Sequence, residues 1–403
     1  MSSSDGNQAR MDRAQKRALG LGVLGAIAVV LWGFVDAHRS GAEGWTHFFQ
    51  SYLFAYVFVV AIPLGCLAIL MLHHLTGGSW GLPIRRILEA GSRTLWFMAL
   101  LVIPVLLGMS RLYPWMRAGV IPDDAVNAFK RFYLQPGFFV TRTVVYFALW
   151  VIIAQLLNKW SAEQDRSADL RLKDRMGALS GPGLVIWGLS VSAAAIDWVM
   201  SLEPYWSSTI YGMVFMVIMA LAGLSFSIFV LRTLSDGPPL KNCVEPKDYN
   251  DLGNLILAFT LLWTYMSFSQ FLIIWAGNMK DEIPWYLVRA FGGWRGVAVV
   301  LLLFHFFLPF FILLHRRFKR KLSTLSLVAG WMLVVTLIDV YWLVVPAFEN
   351  EQKAPGLRLM DVCAVVGIGG LWLAAFYGQL KKLPLLPLHD PRFEGVLEHQ
   401  HGD

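Results

Sequence analysis

Tyr133-Leu134-Gln135-Pro136-Gly137-Phe138-Phe139-Val140-Thr141-Arg142 and Tyr286-Leu287-Val288-Arg289-Ala290-Phe291-Gly292-Gly293-Trp294-Arg295 share the pattern Tyr-Leu-x3-Phe-x3-Arg. Each copy leads into an apolar segment. The next long apolar segment after each carries an Ile-Asp pair in its later third, Ile196-Asp197 and then Ile338-Asp339. Charges inside apolar segments are costly, so they need a structural or functional reason. Two such charges in matching places predict two related helical bundles.

Composition sets the class around this pattern. Of 403 residues, 57% are hydrophobic and 15% charged, which excludes an ordinary soluble domain and points to a polytopic membrane protein. The 17 Trp, 12 Tyr and 27 Phe suit aromatic belts at both interfaces. Ten stretches are long and apolar enough to span: 19–35, 51–72, 95–113, 138–157, 181–202, 207–231, 252–277, 296–315, 323–346 and 357–380. No small-residue cleavage site follows the first, so it reads as a helix and not as a secretory signal.

Lys and Arg concentrate on the side that holds both termini, as in Arg316-Arg317-x-Lys319-Arg320-Lys321. Both termini are therefore expected in the cytoplasm, with the basic clusters as topology anchors. The expected fold is all-α with ten transmembrane helices. Helices 2–5 and 6–9 form two four-helix bundles of the same orientation, flanked by helices 1 and 10. The corresponding divisions are a tail at 1–18, helix 1 and its outer loop at 19–50, bundles at 51–206 and 207–346, and helix 10 with a cytoplasmic tail at 347–403. In this frame Arg142 and Arg295 enter from the same face. At 1.5 Å per residue Asp339 lies on the order of 10 Å below Pro346. An Arg–Asp pair in each bundle, Arg142–Asp197 and Arg295–Asp339, is the expectation.

Ionisable groups in or near the apolar segments are few: Asp197, Asp339, Asp361, Arg142, Arg295, Glu203 in the turn Leu202-Glu203-Pro204, and His305. One segment is polar at Thr260, Thr264, Ser267, Ser269 and Gln270. Intramembrane carboxylates, an imidazole and hydroxyls are the components of a proton path. The same charges also suit ion pairs that only hold helix register, Glu203 suits a helix cap, and His305 a core histidine. Cys66, Cys243 and Cys363 are far apart, without CxxC or CxxCH, and most of the nine His lie at helix ends, in loops or in the tail. Disulfide, zinc, iron–sulfur and haem sites all lack support. Gly292-Gly293 and Gly369-Gly370 lack the strand-loop-helix setting of a nucleotide loop.

The run Asp197-Trp198-Val199-Met200-Ser201-Leu202-Glu203-Pro204-Tyr205-Trp206-Ser207-Ser208-Thr209-Ile210-Tyr211-Gly212 resembles the hallmark of the ActF subunit of alternative complex III. The run Phe268-Ser269-Gln270-Phe271-Leu272-Ile273-Ile274-Trp275-Ala276-Gly277-Asn278 and Pro346 resemble the same subunit. That family belongs with the NrfD and polysulfide-reductase membrane subunits. The resemblance implies two four-helix bundles with two flanking helices in a bacterial cytoplasmic membrane, and a role in electron transport from (mena)quinol to cytochrome c or an oxidase. It implies that haem c and iron–sulfur clusters reside in partner subunits, a multihaem cytochrome c and an iron–sulfur protein. An ActC-like membrane subunit is the expected quinol site, and this chain would bind no cofactor. The hallmark carries the proton role onto Asp197 and Glu203, and the later run covers Gln270. Asp339, Arg142 and Arg295 rest on the internal repeat, His305 and Asp361 on burial, and Thr264 and Ser267 on their place in the polar segment. Two alternatives stay open: an NrfD-like subunit that itself binds quinol, and an autonomous secondary transporter.

Overall fold

A computed structural model describes residues 3–387 apart from 168, 170, 236, 238–239, 241–244, 292 and 349–354. Cys243, Gly292 and the tail from 388 onward lie outside the described residues. Among the described residues all regular structure is helical, and ten helices are long and apolar enough to cross a membrane. They are α1 (Gly6–Arg39), α2 (Glu43–Thr76), α3 (Arg85–Leu107), α4 (Pro136–Ser167), α5 (Arg171–Leu202), α6 (Tyr211–Leu234), α7 (Pro246–Gly277), α8 (Trp294–Leu314), α9 (Leu322–Phe348) and α10 (Leu359–Leu380). Each contains most or all of one expected stretch.

Several helices outrun their apolar stretch. The stretch 19–35 is the middle of a helix that runs Ser3–Ser40, because Ala, Arg, Gln and Lys are good helix formers and no Pro interrupts them. The added turns are tied to α10 by Lys381 Nζ on Asp12 (2.5 Å) and by Gln15 Nε2 donating to the Ala374 carbonyl (3.1 Å). The beginning of α1 and the end of α10 therefore share one face, called the near face below. The opposite one is the far face.

α2 and α6 are buried on nearly all sides, as expected of helices that are apolar all round. Their backbones touch: a Cβ added to Gly65 would lie 1.7 Å from the Met219 carbonyl oxygen, and one on Gly223 2.3 Å from the Gly65 carbonyl carbon. A similar seam of small residues joins α1 to α10, where a Cβ on Gly25 would meet the Gly367 nitrogen at 2.5 Å. Between helices in lipid such seams replace the hydrophobic drive that water would supply. Around the central pair, α2 packs on α1, α3, α5 and α10, and α4 on α3 and α5. α6 packs on α5, α7 and α9, and α8 on α7 and α9.

α8 is the irregular member. It runs as α-helix over Trp294–Leu301, widens to a π-helical turn over Leu302–Phe307 and resumes at Leu308. Pro309 has no N–H to donate, and its ring would strike the carbonyl four residues earlier, which belongs to His305. Widening the ladder there relieves the clash and sets the His305 side chain into the interior.

Candidate functional site

The first copy of the repeated pattern folds into one unit at the far face. α4 begins at Pro136, so Arg142 lies about 9 Å inside the helix at 1.5 Å per residue. Its Nε and Nη2 donate to the two Asp197 carboxylate oxygens at 2.8 and 2.9 Å. Nη1 donates to the Tyr133 carbonyl at 2.8 Å. The guanidinium also lies 3.8 Å from the Tyr133 ring centre and 4.4 Å from that of Phe138. The Tyr, Phe and Arg of the pattern are thus a single clamp, with the cation held in the corner of two rings that stand at 88° to each other. Asp197 is fully buried and accepts a third bond from the Tyr146 hydroxyl at 2.9 Å. Burial, and then the Asp197 charge, push the Tyr133 phenol up to about 12. The expected Arg142–Asp197 pair is present, bidentate and saturated.

The second copy folds differently, and the expected Arg295–Asp339 pair does not form. Helix starts at Trp294, after Gly293 in a left-handed turn (φ 92°), so Arg295 is only its second residue and is exposed. Counted from the helix start, it comes five residues earlier than Arg142. Asp339 is buried and accepts a bond from Trp263 Nε1 at 2.8 Å. His305 Nδ1 is 3.7 Å from the same carboxylate oxygen, and the imidazole stacks on Trp263 with centres 3.9 Å apart. Neither ring nitrogen of His305 has a hydrogen-bond partner among the described residues.

A residue not singled out in the sequence takes the cationic position in this half. Arg289, in the short helix Ile283–Ala290, is buried. It donates to the carbonyls of Trp285 (2.9 Å), Leu343 (3.1 Å) and Trp342 (3.3 Å), and to Glu203 Oε1 at 3.2 Å. Its guanidinium lies 3.7 Å from the Trp285 ring centre, and Trp285 stacks on Trp206 at 4.7 Å. Burial draws the Arg289 pKa down, opposed by the Glu203 carboxylate. Glu203 therefore ties the turn after α5 to the far end of α9, which is more than a cap. The available signal was Arg289 itself, sitting inside the repeated pattern and flanked by aromatic residues.

A cavity of about 740 Å³ opens between α6, α7, α8, α9 and this short helix. Asp339 and Trp263 line it, with Thr264, Ser267 and Gln270 from α7 and with Tyr286, Arg289 and Arg295; the remaining wall is apolar. Thr264 donates to the Thr260 carbonyl at 2.9 Å. Gln270 is loosely held, with Nε2 at 3.4 Å from the Tyr286 hydroxyl and Oε1 at 3.4 Å from Ser208 Oγ. Burial pushes the Tyr286 phenol up to about 12.

Of the sequence-selected residues, this cavity gathers Thr264, Ser267, Gln270, Arg295 and Asp339, with His305 directly behind Trp263. Arg142 and Asp197 form their own site, and Glu203 belongs with Arg289. Asp361 stands apart, capping α10: it accepts from the Arg358 backbone N–H at 2.9 Å and from Ser51 Oγ at 2.5 Å. Among the described residues no group of three or more His, Cys, Asp or Glu is placed to hold a metal. No protein-family model and no curated protein matches this chain.

Proposed function

We propose that this chain is an ActF-like integral subunit of a quinol:cytochrome c or quinol:oxidase oxidoreductase of the alternative complex III kind, in a bacterial cytoplasmic membrane with both termini inside. In this reading it is a scaffold of two four-helix bundles, α2–α5 and α6–α9, joined along the α2–α6 seam and flanked by α1 and α10. The likeness of the runs at 197–212 and 268–278 supports it, as do the helix pairings. Haem c and iron–sulfur clusters belong to the partner subunits, as does the main quinol site.

The second bundle carries the proton route. The observation behind this is Asp339: a buried carboxylate with one indole donor, no Arg or Lys bonded to it among the described residues and a cavity beside it. A carboxylate so placed can take up a proton and pass it on, because no guanidinium holds its charge in place. Thr264 and Ser267 continue the polar wall along α7, and His305 lies within one further transfer of Asp339. Asp197, with three bonds of which two come from a bidentate cation, serves as an anchor and not as a carrier. Proteoliposomes holding the whole complex test this division. Asp339→Asn is expected to lower proton release per electron several-fold with the complex assembled. Full coupling and turnover in that variant would reject the route.

The same cavity favours a second reading, in which this chain itself binds quinol. Its volume, apolar wall and polar residues Gln270, Tyr286 and Arg289 suit a ring with hydrogen-bonding edges and an isoprenoid tail. A photoreactive quinone analogue that labels the Gln270 region supports this reading; label confined to partner subunits eliminates it. An autonomous transporter would move a solute without partners. Co-purification with a multihaem cytochrome and an iron–sulfur protein argues against that.

A further inference from the structure

Three cations on the near face gather at one cavity. Arg93, Lys159 and Lys382 converge from α3, α4 and the residues just past α10 on a polar cavity of about 430 Å³. Trp96, Gln155 and Asn158 line it too, and among the described residues no carboxylate does. Among the described residues none of the three cations has an ion-pair partner. Neighbouring cations differ: Arg85 and Arg86 are held by Glu89, Arg86 also by Asp165, and Lys381 by Asp12. The site is built, not incidental. Arg93 Nε donates to Asn158 Oδ1 at 2.7 Å, and the buried Asn158 is itself fixed through Nδ2 to Ser92 Oγ (3.1 Å) and the Ala154 carbonyl (2.7 Å).

The surroundings select the kind of anion. Trp96 is exposed one turn from Arg93, at the level where indole rings sit in the membrane interface. A turn or two further toward the midplane, Leu100 and Ile103 on α3 and Ile152 on α4 are exposed apolar residues. Cationic polar pocket, interfacial Trp and apolar wall follow one another in the order of a phospholipid's parts. Basic pockets between transmembrane helices are the usual seats of anionic head groups. We propose that the cavity at Arg93, Lys159 and Lys382 binds the phosphodiester of an anionic membrane phospholipid between α3, α4 and α10. Free phosphate shares the head-group chemistry but gains nothing from the apolar wall. The proposal requires only that the chain spans a membrane, and stands apart from the electron-transfer reading.

The assembled protein, placed in nanodiscs of phosphatidylglycerol or phosphatidylcholine, decides it by quantifying phospholipid retained after exchange. The wild type is expected to retain phosphatidylglycerol saturably, and the Lys159→Gln/Lys382→Gln double variant to bind it at least about tenfold more weakly. Both lysines are exposed, so this variant is expected to fold. Arg317→Gln/Lys321→Gln, an equal charge change at exposed positions elsewhere on the near face, is expected to leave retention unchanged. Equal retention by the wild type and the Lys159/Lys382 variant overturns the site, as does equal retention of phosphatidylcholine by the wild type. An equal loss in the Arg317/Lys321 variant reduces the effect to bulk surface charge and also overturns it. Displacement of phosphatidylglycerol by millimolar inorganic phosphate assigns the pocket to a free anion and overturns the lipid.

Discussion

The two copies of Tyr-Leu-x3-Phe-x3-Arg begin alike and end in opposite electrostatic states. In the first, the Arg is deep enough in its helix to lie against the Tyr133 and Phe138 rings and saturate Asp197. In the second, a glycine turn delays the helix, Arg295 stays exposed, and Asp339 is left with an indole, a nearby imidazole and a cavity. Arg289 takes up the structural cation role there, on carbonyls and on Glu203. One half is thereby locked, and the other keeps a carboxylate with protonation freedom. A repeat can duplicate a residue without duplicating its environment.

Breaking the locked half carries the largest expected effect. Arg142→Leu leaves the fully buried Asp197 without a cation and is expected to cost about 3–5 kcal/mol, read as a lowered thermal-inactivation midpoint in nanodiscs. If Asp339→Asn proves as damaging to stability, the contrast between the halves fails. Arg289→Leu comes next, at about 1–3 kcal/mol, because buried carbonyls lose their donor while the partly exposed Glu203 can turn to water. Arg295→Gln is expected within about 0.5 kcal/mol of wild type by the same measurement. A large loss there would mean that Arg295 reaches Asp339 after all.

The finest comparison is between the two tyrosines of the pattern, both held up to about 12 against an ordinary 10. Each holds its proton more tightly when folded, so its contribution to stability is complete below about pH 10 and is lost as pH rises toward about 12. Labelled-tyrosine NMR is expected to show Asp197→Asn lowering the Tyr133 pKa, since a neighbouring negative charge is removed, while Tyr286 stays fixed. Equal movement of both would place the effect in general loosening.

Much of this was legible beforehand. Ten apolar stretches gave ten helices, because a bilayer demands length and hydrophobicity that can be read locally. Arg142 and Asp197 could be paired because helical rise converts sequence position into depth. Arg295 misled because the same arithmetic assumes the same helix start, and Gly293 moved it. Arg289 was missed because three of its four partners, the carbonyls of Trp285, Trp342 and Leu343, carry no side-chain signature. His305 looked like an ordinary core residue, although Pro309 four positions later already marked a disturbed ladder.

Sequence by itself determined the helical class, the ten spans and which charges had to be accounted for, since these follow from local hydrophobicity and rare intramembrane ions. Tertiary structure alone decided which carboxylate received a cation, where the cavity opened and which near-face cations gather at one polar pocket. Those outcomes depend on the start of each helix and the contact between distant segments, and a shift of one turn is enough to change them.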